Sequence, residues 1–171
     1  MAFSSRYDLR EKLGEGGQAA VYRAVRRSEE LSTHHPSREV AVKVYPKLGG
    51  ALEDLSTEVK LLRQLRHRHI VAILDVVHDA MGVYIVQELL EGGELFDFLL
   101  ARGALQESVE LETFAQVVLA VDYLHSLSVA HRDIKTDDTQ RMVCAGVEIY
   151  SYFCFKANRC VQNNREARTV T

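Results

Sequence analysis

The sequence predicts an α+β protein with a β-rich first half and a helical second half. Three observations carry this reading. Five β-rich segments, at 7–13, 20–25, 39–45, 70–77 and 82–87, all fall before residue 90. Two helical patterns, at 95–100 and 109–126, come after them. Strands and helices segregated along a chain in this way make the α+β class rather than an alternating α/β one. The third observation is a change of composition near Asp138, which sets the last part of the chain apart. All three cysteines (Cys144, Cys154, Cys160) and every asparagine lie beyond it, and no leucine occurs after Leu127. Charge switches too. Residues 1–138 hold 16 Lys+Arg against 22 Asp+Glu, and residues 139–171 hold 5 against 2, which together give the net −3 of the chain.

At 171 residues, 47% hydrophobic and 26% charged, the chain has the composition of a globular protein with a real core. The net charge of −3 argues against general nucleic-acid binding. No apolar stretch of signal-peptide type follows Met1. The longest apolar-rich run, Phe114 to Val121, falls short of the roughly 20 residues that span a bilayer. The expectation is a cytoplasmic protein without a membrane or nucleic-acid partner.

Taken in order, Tyr7 to Leu13 reads as a strand entering Gly14-Glu15-Gly16-Gly17-Gln18-Ala19, and Ala20 to Val25 as the strand leaving it. Glycines there make either a plain hairpin turn or a turn whose bare N–H groups approach a phosphate. A polar loop with His34-His35 leads to Glu39-Val40-Ala41-Val42-Lys43-Val44-Tyr45. Strand alternation puts Val40, Val42 and Val44 on one face and Ala41 and Lys43 on the other. Lys43 is either a solubilising lysine of an edge strand or half of an ion pair. A helix over about 52–66 buries Leu55, Val59 and Leu62. Glu58 shares that inward side, and a carboxylate facing a core needs a cation, for which Lys43 is the natural candidate.

Strands at 70–77 and 82–87 come next, then a connection, Glu88 to Glu94, holding Gly92-Gly93. The short helix begins at Leu95. In the longer one Phe114, Val117, Val118, Val121 and Leu124 predict burial on most sides. His131-Arg132-Asp133-Ile134-Lys135 comes after it. In the last part, Val147 to Phe155 has strong β propensity, and the cysteine spacing is not that of a zinc site.

A glycine loop, Ala-Val-Lys, a helix glutamate, Gly92-Gly93-Glu94-Leu95-Phe96-Asp97 and His-Arg-Asp occur in this order over residues 6–138. Together they resemble a eukaryotic protein kinase domain up to its catalytic loop. Lys135, two after Asp133, resembles the serine/threonine type, and the Gly-Gly-Glu run the calcium/calmodulin-dependent kinases. The resemblance implies a kinase-like fold: a complete β-rich N-lobe with its helix over 1–88, a hinge and partial C-lobe over 89–138, and an unrelated tail over 139–171. It implies ATP and Mg²⁺ as cofactors and Ser/Thr of proteins as substrate. Leu13, Gly14, Glu15, Gly16 and Gly17 would cover the nucleotide, and Lys43, paired with Glu58, would hold its phosphates. Val21 and Ala41 would cap the adenine, beside Gln87 as gatekeeper. The backbones of Glu88 and Leu90 would bond its edge, and Glu94 would meet the ribose or a basic substrate residue. Asp133 would accept the substrate hydroxyl proton and Lys135 steady the phosphoryl group.

The sequence also departs from that pattern. Ala19 replaces the third glycine, and Asp138 stands where the family has a metal-binding asparagine, a change that keeps an oxygen ligand for Mg²⁺. Gln140 takes the place of the adenine-floor leucine, and no Asp-Phe-Gly occurs. The expectation is a chain truncated after the catalytic loop with impaired transfer. The alternatives are an inactive nucleotide-binding or partner-docking fragment and an unstable product.

Overall fold

The computed structural model describes residues 2–15, 19–27, 38–46, 59–60, 62–130, 134, 139–144, 147–153 and 161–162. They form two compact units, Met1–Leu65 with Ala72–Leu90 and Arg66–Val71 with Glu91–Thr171.

The first unit is a five-stranded antiparallel sheet. Its strands are β1 (Tyr7–Glu15), β2 (Ala20–Arg26), β3 (Glu39–Pro46), β4 (Ile73–His78) and β5 (Gly82–Glu88), in the order β1-β2-β3-β5-β4. Each strand lies within a residue or three of its predicted span. The 70–77 segment pairs in the sheet only from Ile73. β3 is the central strand, which rules out the edge-strand reading of Lys43.

Alternation in β3 divides the sheet as the sequence predicts. Val40 and Val42 face a cluster with Phe3, Tyr7, Ala24, Val77, Tyr84 and Val86, and Val44 and Leu74 pack against it. On the other face Ala41, Tyr45, Val83 and Ile85 are buried as well. A sheet covered on both sides reads as a near-continuous apolar run, and β5 does so from Val83 to Val86. Gly82 opens that strand because a Cβ there would sit 2.2 Å from the Tyr45 carbonyl oxygen. Among residues 52–66, Val59, Lys60 and Leu62 are helical, and the Val59 carbonyl accepts from the Arg63 N–H at 3.0 Å. Val59 and Leu62 are buried as predicted; Leu55 and Glu58 lie outside the described residues, as does the His34-His35 loop.

A short 3₁₀ turn, Phe3–Ser5, closes the Val40 side. The Phe3 ring stacks on Tyr84 (4.1 Å between centroids) and Tyr7 (5.2 Å), and its N–H donates to Asp79 Oδ2 at 3.0 Å. Tyr7 Oη donates to Asp75 Oδ2 at 3.1 Å, and Arg6 pairs with the same carboxylate at 2.7 Å. Burial, then the Asp75 charge, raises the Tyr7 pKa, so the phenol stays protonated and donating.

The second unit holds α1 (Leu95–Arg102), α2 (Glu107–Ser126) and the short strands β6 (Val129–Ala130) and β9 (Val161–Gln162), which pair. β7 (Thr139–Cys144) and β8 (Val147–Phe153) pair as an antiparallel hairpin, so the β-prone segment at 147–155 is a strand as far as Phe153. α2 runs beside β6 and β8, and α1 beside β7. The expected burial of α2 on most sides is corrected. Its buried stripe is Thr113, Gln116, Ala120 and Leu124, whereas Phe114 and Val118 are exposed and Val117 and Val121 half-buried. Apolar residues occur nearly all around this helix, so helical period alone could not tell which of them would meet a partner.

Candidate nucleotide site

Strand pairing sets the spacing of the site residues in the sheet. Gly14 of β1 lies opposite Val21 of β2, Val21 opposite Lys43 of β3, and Lys43 opposite Ile85 of β5. Ala41 lies opposite Gln87. Directly paired residues point to one face, and so do residues two apart along a strand. Val21, Ala41, Lys43, Ile85 and Gln87 therefore share a single face of the sheet. That face offers an apolar floor beside the Lys43 ammonium group, with Arg23 on the same side opposite Ala41.

Gly14 adds open space to this row. Among the described residues nothing lies within 4 Å of where its Cβ would stand, which leaves room for more than a hydrogen there. The β1–β2 register also shifts between Lys12 and Gly14, loosening the ladder where β1 approaches its end. Leu13 and Glu15 flank Gly14 and are exposed. Glu15 pairs with Lys12 at the end of the strand. Farther down, Arg23 of β2 holds Glu39 of β3 at 3.0 Å and Glu11 of β1 at 2.6 Å, tying the three strands together.

Lys43 has a neighbour that sequence reasoning did not assign. Its Nζ lies over the Tyr45 ring, 5.6 Å from the centroid. The signal was available, since residues two apart on a strand share a face, and a cation over a tyrosine face is held by the ring quadrupole. Beyond Gln87 the chain is tied twice to Ala72. The Glu88 N–H donates to the Ala72 carbonyl at 3.1 Å, and Glu88 Oε1 accepts from the Ala72 N–H at 2.8 Å. With its N–H committed, any main-chain contribution of Glu88 to a ligand must come from its carbonyl. Leu90 is buried.

In the second unit Glu94 is the extended residue that opens α1, its carbonyl accepting from Phe98 N–H at 3.2 Å. Gly93 precedes it with φ +74°, a left-handed conformation that glycine adopts at little cost. Gly16, Gly17, Glu58, Asp133, Lys135 and Asp138 lie outside the described residues, and only the backbone of Gln140 is described. The structure therefore brings together the sheet half of the predicted set. Among the described residues no cluster of three or more His, Cys, Asp or Glu could hold a metal ion.

A face with one lysine, small apolar residues and an open glycine is what the family comparison explains. The model of the protein kinase domain family matches residues 7–138. The chain belongs to the protein kinase domain family. One of its relatives is named as a serine/threonine-protein kinase. It is 36% identical over 139 residues to calcium/calmodulin-dependent protein kinase type 1 of Macrobrachium nipponense, which covers 80% of this chain and 39% of that protein. It is 40% identical over 137 residues to the type 1B enzyme of Rattus norvegicus (79% and 38%). A testis-specific serine/threonine-protein kinase 3 of Mus musculus is 37% identical over 140 residues (79% and 50%). The chain thus spans about two-fifths of the length of the calcium/calmodulin-dependent relatives it matches. The five-stranded sheet and the helices after it are those of a kinase domain, and among the described residues no helix is long and apolar enough to cross a membrane.

Proposed function

We propose that this kinase domain binds ATP on the Lys43 face of its sheet and serves transfer of the γ-phosphoryl group to Ser or Thr of proteins in the cytoplasm. The carrying observation is the row Gly14–Val21–Lys43, with Ala41 two residues along β3. Val21 and Ala41 would cover the adenine, beside Gln87. The Glu88 carbonyl and the Leu90 N–H would bond its edge. Lys43, with Glu58, would hold phosphate oxygens under Leu13 to Gly17, and Glu94 would take the ribose or a basic substrate residue. Asp133 would accept the proton of the substrate hydroxyl as its oxygen attacks phosphorus, with Lys135 offsetting the charge on the moving group. Mg²⁺, when bound, neutralises phosphate charge, and Asp138 is the residue proposed to hold it.

A second reading is a nucleotide-binding or partner-docking module that transfers nothing. It is supported by the chain beyond Asp138, where the composition changes, the family match ends and a β-hairpin begins. Thermal unfolding with and without millimolar Mg·ATP tests the shared part. A ligand that binds only the native state raises Tm, so the unmutated chain should shift and Lys43→Ala should not. No shift in the unmutated chain would remove the nucleotide site, and an equal shift in both would take Lys43 out of it. Phosphate incorporation into a Ser/Thr peptide, lost in Asp133→Asn, then separates the two readings.

A further inference from the structure

Lys43 and Tyr45 stand two residues apart on β3, so both side chains are on the nucleotide face of the sheet. The Lys43 Nζ lies 5.6 Å from the centroid of the Tyr45 ring, within the range over which a ring quadrupole attracts a cation. The two residues differ in freedom. Tyr45 is buried and lies opposite Val83, itself buried. Its backbone is constrained as well, because β5 approaches so closely at Gly82 that a Cβ there would meet the Tyr45 carbonyl. Lys43 is half-buried at the end of a flexible four-carbon stem. Its cross-strand neighbours, Val21 and Ile85, are apolar and offer the ammonium no charge. A fixed ring beside a flexible cation can serve as its anchor.

From this contact we infer that Tyr45 is a positioning residue for the nucleotide, holding the Lys43 ammonium on the face where phosphate oxygens would arrive. The inference rests on the nucleotide reading of that face. Ordering a long lysine stem opposes binding, and a stem already held in the free protein avoids that loss. The ring attracts the charge as a whole, so N–H donors turned away from it stay available to phosphate. Tyr45 adds to the Glu58 carboxylate proposed as partner and acts only through Lys43. Its effect therefore falls on the phosphates of a ligand and spares the base and ribose.

The test compares the affinities of the full chain for Mg·ATP and for adenosine, which lacks the phosphates. Tyr45→Leu should weaken ATP about fivefold, the loss expected when one long side chain must be ordered on binding, and leave adenosine unchanged. Tyr45→Phe keeps the ring and should keep both affinities. A merely structural role would weaken both ligands together. That result would overturn the proposal, as would an ATP affinity unchanged or raised in Tyr45→Leu. So would an equal loss in Tyr45→Phe, which would give the effect to the hydroxyl. A second measurement, on the unmutated chain, decides the matter even if Tyr45→Leu misfolds. With ¹³C-labelled lysine, the Lys43 Hε signal, assigned through Lys43→Arg, should be moved upfield by the ring current and remain so with ATP. An unshifted signal, or one that loses its shift when ATP is added, would remove the anchor. No binding of ATP by the unmutated chain would instead remove the nucleotide reading itself, and the inference with it.

Discussion

The sheet and the long helix use similar residues to different ends. In the sheet unit, apolar residues on both faces are covered: Val40, Val42 and Val86 on one side, Ala41, Val83 and Ile85 on the other. Helix α2 also carries apolar residues on most sides, yet it buries Thr113 and Gln116 while Leu111 and Phe114 face outward. Hydrophobicity says that a side chain would gain by burial; it does not say that a partner is there. Strand pairing supplies neighbours on both sides of each inner strand, and Phe3 closes one face from a distance in sequence. A helix satisfies its own backbone and can leave a side bare.

This contrast can be broken by substitution, most severely in the sheet. Val42 is fully buried on the central strand, opposite Tyr22 and Val86. Val42→Asp places a carboxylate there without a cation and should abolish cooperative unfolding followed by circular dichroism. A surviving sharp transition would mean that the cluster around Val42 does not hold the sheet.

Within α2 the two sides should separate cleanly. Leu124→Ala should cost about 2–5 kcal/mol in urea titration, since Leu124 is 1% exposed. Phe114→Ser should stay within about 0.5 kcal/mol. Equal losses at the two positions would erase the distinction.

A smaller effect concerns the loop that joins the helical unit. His67 stacks on Tyr123 (5.0 Å), the Arg66 N–H donates to Tyr123 Oη at 2.9 Å, and the His67 Nδ1 accepts from the His69 N–H at 3.3 Å. Burial, then the Arg68 charge, lowers the pKa of both histidines. The folded form thus prefers them neutral, while the unfolded chain takes up protons near pH 6.5. Their contribution is present above that pH and is lost as pH falls below it. Unfolding between pH 7.5 and 5.5 should show stability falling with acid, and less steeply in His69→Gln. A pH-independent stability there would count against a neutral pair of buried His69 and half-buried His67.

Much of the sheet was legible in sequence because its information is local. A period of two in Val40-Ala41-Val42-Lys43 divides the faces without reference to any other strand, and the order of motifs around Lys43 carried the family. The span 70–77 was read too long at its start because apolar residues occur in a strand and in the segment before it alike. The seat of Phe3 was not legible, because its bond to Asp79 joins residues far apart in the chain. Neither was the turn of α2, for many rotations of that helix bury some apolar stripe.

By itself, then, the sequence determined the kinase family, the strand alternation and the residues to examine for nucleotide binding. Only the tertiary structure decided that Lys43 stands on the central strand, that Gly14, Val21 and Lys43 fall in one row, and that Phe114 looks outward. The reason is physical. Alternation, propensity and motif are properties of neighbours along the chain, whereas strand order, register and the covered side of a helix depend on which distant segments come to lie beside them.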